Sequence, residues 1–160
     1  PDERKSVLEA IKNELKENKE TAVKRLEAFV ASNPDLAESS FLLAENIIFK
    51  NHEKALKLIE PFSGQVEFLD RIENIKALTR LMEHDGNGNS AVHEKLEAVK
   101  KSIGKNEFDN AIKVLIEAVM IDKTYSGELP RQATVAVFKL LGEDHDLTKK
   151  YRRRFDMALY

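Results

Sequence analysis

The sequence predicts an all-α chain, a right-handed helical repeat (α-solenoid) of about nine antiparallel helices. Three observations predict it. Apolar residues recur at i, i+3, i+4 and i+7 almost throughout. Only six Gly and four Pro interrupt them, too few for a many-stranded sheet. The interruptions are short polar turns, which join antiparallel neighbours. At 160 residues, the chain is long enough to bury roughly 70% of its unfolded surface without staples.

The elements follow in order. Val7, Leu8, Ile11 and Leu15 form the first apolar stripe. Ser6 and Glu9 have capping-box spacing, and Asp2 and Glu3 offer an earlier start. Ala22, Val23, Leu26, Phe29 and Val30 form the second stripe. Ser32-Asn33-Pro34-Asp35 then breaks the helix, with Asn33 suited to an N-cap and Pro34 to the first helical position. The third helix carries Leu36, Phe41, Leu42, Ala44, Ile47 and Ile48. Lys50-Asn51-His52 turns the chain into a fourth, with Ala55, Leu56, Leu58 and Ile59, ended by Pro61 and Ser63-Gly64. The fifth is expected to hold Phe68, Leu69, Ile72, Ile75, Leu78, Leu81 and Met82.

Residues 85–90, Asp-Gly-Asn-Gly-Asn-Ser, form the strongest loop signal in the chain. The expected organisation is helices over 1–84, a flexible Gly/Asn linker over 85–90, and a further repeat with a capping helix over 91–160. Ser90 suits the N-cap of a sixth helix carrying Val92, Leu96, Val99 and Ile103. A seventh carries Phe108, Ala111, Ile112, Leu115, Ala118 and Val119. The eighth is expected from about Pro130 to Leu141 and ends on Gly142, a good C-cap residue. The ninth starts near Asp146, read as its N-cap, and runs to the end.

Three of these helices open in the same way. Ala22, Ala55 and Ala111 are each followed four positions later by an apolar residue, Leu26, Ile59 and Leu115. Phe29, Phe62 and Ala118 come three further on. The spacing of the first two alanines is close to the 34-residue tetratricopeptide (TPR) period, and Pro34 stands where that repeat ends. A small residue lets two antiparallel helices approach, and the bulky ones fill the groove between them. The first helices lack the Trp, Leu-Gly and Tyr pattern of that repeat, which leaves an ordinary helical bundle as the alternative.

Composition narrows the function. The formal net charge is -2, which gives no general pull towards nucleic acid or anionic lipid. The chain has no Cys, so it has no thiol chemistry, disulfide or Cys-ligated zinc of its own. No apolar run approaches membrane-spanning length. The expected compartment is the cytoplasm.

Catalytic and metal signals are weak. His84 and His93 flank the Gly/Asn loop, too far apart for a local ligand pair. Asp144-His145-Asp146 reads as a helix-capping segment. Ser102-Ile103-Gly104-Lys105 matches a nucleophile motif by letters only. Gly86-Asn87-Gly88 lacks the strand and the Gly-Lys-Ser/Thr of a phosphate loop. The expectation is a protein that is not an enzyme and uses no cofactor or metal. Lys12, Asn13, Lys16, Asn46 and Lys50 are candidates for clamping a peptide carboxylate, or are ordinary exposed side chains.

The last helix stands out. Leu147, Tyr151, Phe155, Ala158 and Leu159 line one face, and Lys149, Lys150, Arg152, Arg153 and Arg154 crowd the others. It is expected to close the repeat. In the sharper reading it also docks an acidic partner through Tyr151, Arg152, Arg153, Arg154, Phe155, Leu159 and Tyr160, since aromatics and Arg favour binding patches.

The segments Glu107–Ile112, Ile121–Lys123, Arg131–Ala133, Phe138-Lys139-Leu140-Leu141-Gly142 and Tyr151-Arg152-Arg153-Arg154, with the ending Ala158-Leu159-Tyr160, carry a family likeness. They resemble the C-terminal TPR-like region of the YbbN-type thioredoxin-like co-chaperones of bacteria. The likeness is specific from about residue 90 onward, and Glu128-Leu129-Pro130 departs from it. It implies a holdase or co-chaperone, with chaperonin, the Hsp70 system or unfolded clients as protein partners. It also implies a covalently linked thioredoxin-fold domain ahead of Pro1, which a start without Met fits. Two alternatives stand beside it. One is a generic TPR scaffold binding a peptide in its groove, and the other a helical nucleic-acid binder, motivated by the Arg-rich helix alone.

One expectation concerns the linker. Gly and Asn offer no apolar anchor, so limited proteolysis is expected to cut between about His84 and Val92 first. First cleavage inside 108–119 contradicts the division at this loop.

Overall fold

The computed structural model describes residues 3–86 and 90–160. Among these residues it contains nine α-helices, two 3-10 turns and no strand. They form two compact units, Pro1–Phe68 and Leu69–Tyr160. No helix of the described residues is long and apolar enough to cross a membrane.

The first unit is two helical hairpins. α1 (Glu3–Glu17) pairs with α2 (Lys19–Ser32), and α3 (Ala37–Ile47) with α4 (His52–Ile59). Asn18 and Asn51 start the second helix of each pair. Their side-chain oxygens accept from the Thr21 N–H at 3.4 Å and the Lys54 N–H at 3.1 Å, supplying partners the first helical turn lacks. The repeat alanines Ala22 and Ala55 are fully buried, as are Leu26, Phe41 and Ile48. Phe68 lies in a 3-10 turn (Val66–Phe68), stacked on Phe41 at 4.7 Å. It thus joins the first core rather than the fifth helix, where periodicity placed it.

Two further details differ from the sequence reading. α1 already runs from Glu3, so Ser6 sits inside it rather than capping it. Asn33 closes α2 instead of opening α3, its side-chain amide donating to the Phe29 carbonyl at 2.9 Å. Pro34 and Asp35 form a turn, and α3 begins at Ala37.

The second unit holds α5 (Leu69–Glu83), α6 (Ala91–Gly104), α7 (Phe108–Asp122), α8 (Tyr125–Leu141) and α9 (Asp146–Ala158). α6 and α7 form the third hairpin, with Ala111 buried and Lys95 paired to Glu117 at 3.1 Å. α7 also packs on α8 and α9. α5 packs chiefly on α8 rather than on α6, which follows it in the chain. The contacts Arg80–Gln132 and His84–Tyr125 show that this pair is antiparallel. Helices grouped with the N-terminal half by the loop signal thus divide, and α5 belongs to the second unit. Residues 87–89, the middle of the expected linker, lie outside the described residues.

Local chemistry sets the turns. Ser90 caps α6 as expected, accepting from the His93 N–H at 3.1 Å. Asn106 takes a left-handed conformation (φ 59°) between α6 and α7, a place Asn tolerates better than most residues. The first turn of α8 is left-handed at Ser126, Gly127 and Glu128. Its right-handed part begins around Pro130, where the sequence placed the start, because Pro has no N–H to spare. Gly142 (φ 100°) ends it.

α9 packs through Phe155, which is 2% exposed and edge-on to Phe138 at 5.7 Å. Phe155→Ala is therefore expected to lower stability by about 3–5 kcal/mol in urea denaturation, the cost of an unfilled aromatic cavity. A loss under about 1 kcal/mol contradicts this packing.

Candidate functional site

The second unit has an open cleft of about 720 Å³ where α7 begins. The α6–α7 turn supplies Asn106 and Glu107, and the first turns of α7 supply Phe108, Asp109, Asn110 and Lys113. Leu141, His145, Leu147, Lys150 and Tyr151 close it from α8, the following turn and α9. Phe108, Leu141 and Leu147 are half-buried, so they offer apolar surface without being sealed. Asn110 is oriented by its amide, which donates to the Ser102 hydroxyl at 2.7 Å.

Asp109 ties the cleft together. Its carboxylate accepts from the Lys150 ammonium at 2.8 Å and from the Tyr151 hydroxyl. The hydrogen bond from Lys150, then that from Tyr151, holds the Asp109 carboxyl below its ordinary range. The bond to Asp109 raises Lys150. Burial, then the bond to Asp109, raises Tyr151. At the other end of the same helices, the Lys123 ammonium donates to the Leu159 carbonyl at 2.6 Å. Asp109 with Lys150, and Lys123 with Leu159, show that α9 runs parallel to α7.

The residues singled out on α9 separate into three groups. Tyr151 and Phe155 are buried and hold the helix down, Tyr151 also standing in the wall of the cleft. The Arg152 guanidinium lies over the Phe138 ring at 5.3 Å, so it packs where the sequence reading left it off the inward stripe. Leu159 is half-buried, while Arg153, Arg154 and Tyr160 are exposed. Met120 and Met157 are exposed as well, in the last turns of α7 and α9. The sequence reading missed Asn106, in the α6–α7 turn, and Asn110 and Lys113, on the first turns of α7, which share the cleft with residues far along the chain only through the packing of α8 and α9.

Other candidates resolve differently. His145, not Asp146, caps α9, its Nδ1 accepting from the Leu147 N–H at 3.1 Å. An imidazole nitrogen reaches that N–H as a carboxylate would, and Asp146 falls in the first helical turn. In the first unit, Lys12 pairs with Glu9 at 3.1 Å and Glu38 at 3.8 Å. The Asn46 amide donates to the Leu42 carbonyl at 2.8 Å. Asn13, Lys16 and Lys50 are exposed. His84 and His93, judged too far apart, meet with ring centroids 5.6 Å apart because α5 and α6 bring them together from either side of the loop. Among the described residues, no three His, Cys, Asp or Glu side chains converge on a metal position.

The family profile described as "Tetratricopeptide repeat" matches residues 73–160, which takes in nearly the whole second unit. No curated protein and no solved structure matches the chain.

The Asp109 cluster predicts a pH dependence. Its depressed pKa means that its contribution is present above the unfolded carboxylate value, about 3.9, and is lost as pH falls through the folded value. Asp109→Asn is therefore expected to melt below the parent at neutral pH, the gap closing below about pH 4. A gap that persists unchanged into strong acid contradicts the assignment.

Proposed function

This chain belongs to the tetratricopeptide-repeat family, and we propose that it is a protein-binding adaptor whose C-terminal unit takes a short extended peptide in the cleft at the start of α7. The observation that carries this reading is the cleft itself. Its volume of about 720 Å³ lies in the range of ordinary ligand sites. Its floor is apolar, with Phe108, Leu141 and Leu147. Its rim carries the amides of Asn106 and Asn110, suited to peptide backbone groups, whose donors and acceptors must be met when water is excluded. Lys113 adds an exposed cation, and Arg153 and Arg154 extend positive charge along α9. Charges of this kind steer and select a partner more than they tighten binding.

We favour a chaperone-linked role within this adaptor reading. The likeness of the tail to YbbN-type co-chaperones supports it, and the exposed Met120, Met157 and Tyr160 suit unfolded clients, because Met adapts to varied apolar surfaces. On this reading the chain works in the cytoplasm beside a covalently linked thioredoxin-fold domain. It binds chaperonin, the Hsp70 system or unfolded clients, and carries out no catalysis itself.

The immobilised chain is expected to retain protein partners from a bacterial lysate, and Lys113→Glu with Leu147→Gln to lose them. Lys113→Glu alone should leave stability within about 1 kcal/mol, since exposed charges contribute little. Retention of chaperonin or Hsp70 supports the finer reading, and its loss on Arg153→Glu with Arg154→Glu places the contact on α9. Equal retention by parent and cleft variants sinks the cleft reading.

A further inference from the structure

We propose that His84, His93 and Tyr125 form a binding site for a borderline transition-metal dication such as Zn²⁺ or Cu²⁺, beside Gly86. The three residues come from the end of α5, the start of α6 and the start of α8. His84 Nε2 and the Tyr125 hydroxyl oxygen are 3.3 Å apart. Two donors held by one tetrahedral ion at ordinary bond lengths stand about 3.4 Å apart.

The third donor is independent of that pair. His93 Nδ1 is buried and has no hydrogen-bond partner among the described residues, a costly state for a ring nitrogen. The position a Gly86 Cβ would occupy lies 2.7 Å from His93 Nδ1, 3.0 Å from His84 Nε2 and 3.0 Å from the Tyr125 oxygen. The three donor atoms thus cluster around one point beside Gly86. An ion sits off that point, clear of the Gly86 Cα, and side-chain rotation brings the donors to it at ordinary bond lengths.

The donor chemistry selects the ion. Imidazole nitrogens suit Zn²⁺, Cu²⁺ and Ni²⁺ rather than Mg²⁺ or Ca²⁺, and the Tyr125 oxygen serves as third ligand as phenolate, its proton released to solvent when the ion binds. A ligating imidazole must be neutral. Burial, then His93 and Lys100, hold the His84 pKa below its ordinary value, against the opposite pull of Glu97 and Asp85. The Lys100 ammonium also donates to the His84 carbonyl, which fixes the backbone behind the ring. A site of this kind ties α5, α6 and α8 at one point, so the ion is expected to stabilise the second unit by binding only its folded form.

The test uses the purified full chain freed of metal and titrated with Zn²⁺ and with Cu²⁺. Zn²⁺ is expected to raise the melting temperature. Cu²⁺ is expected to show two-nitrogen hyperfine structure by electron paramagnetic resonance, and a phenolate charge-transfer band that Tyr125→Phe removes. His93→Gln should weaken binding at least about tenfold, since removing a ligand costs no less than removing a second-shell partner. Gly86→Ala keeps all three ligands but sets a methyl against them, and should weaken binding similarly. His52→Gln, in the first unit, should leave binding unchanged. Uptake that survives both His93→Gln and Gly86→Ala overturns the proposal, as does absence of uptake by a parent chain with native far-ultraviolet circular dichroism. None of these readouts depends on a protein partner.

Discussion

α7 is apolar on nearly every side, and the C-terminal unit is arranged around that constraint. Ala111, Ile112, Val114, Leu115, Ile116, Ala118 and Val119 are all buried in one helix. A helix with one apolar stripe is satisfied by one neighbour, whereas one apolar all round must be enclosed. α7 accordingly packs on α6, α8 and α9. The two alanines let helices approach closely, and the branched residues fill the grooves. Each fully buried Ile, Leu or Val adds roughly 1.5–3 kcal/mol of burial, so this helix supplies much of the force that holds the unit together.

α9 illustrates how that enclosure creates a surface. Its apolar contribution is narrow, chiefly Tyr151 and Phe155 against the α7–α8 pair, and polar contacts pin each end. Asp109 holds Lys150 and Tyr151 near the start, and Lys123 holds the Leu159 carbonyl at the finish. With α9 fixed parallel to α7, the left-handed turn at Asn106 and the turn after Gly142 stand beside the first residues of α7. The cleft between them is mixed in character because its walls come from helix ends, where polar caps and the last apolar residues of a stripe meet. Such a composition suits a peptide, which presents backbone and side chains together.

The packing of α5 has a different origin. Its Ile72, Ile75, Leu78 and Leu81 are buried, yet the helix that covers most of them is α8, not its sequence neighbour α6. One consequence is that His84, at the end of α5, lies beside Tyr125, at the start of α8. The capped first turn of α6 brings His93 to the same place. Gly86 is the residue between them whose missing side chain leaves room.

Periodicity determined a great deal. It located the nine helices of the described residues, the small residues at Ala22, Ala55 and Ala111, the Ser90 cap and the Gly142 stop. Each of these is a local consequence of side-chain spacing or backbone freedom. It also placed Tyr151 and Phe155 on the inward stripe of α9, because that stripe repeats within one helix. Tertiary structure decided what spacing cannot encode. Phe68 and Arg152 found aromatic partners on other elements, so their roles differ from what their own helices suggest. His145 took the cap that the sequence offered to Asp146, because the helix begins at Asp146 and the residue before it is the one whose side chain reaches the Leu147 N–H. The cleft residues Asn106, Asn110, Lys113 and Leu141, and the meeting of His84, His93 and Tyr125, depend on which helix packs on which. That choice is made by burial summed over whole faces, a quantity that no single residue or short motif carries.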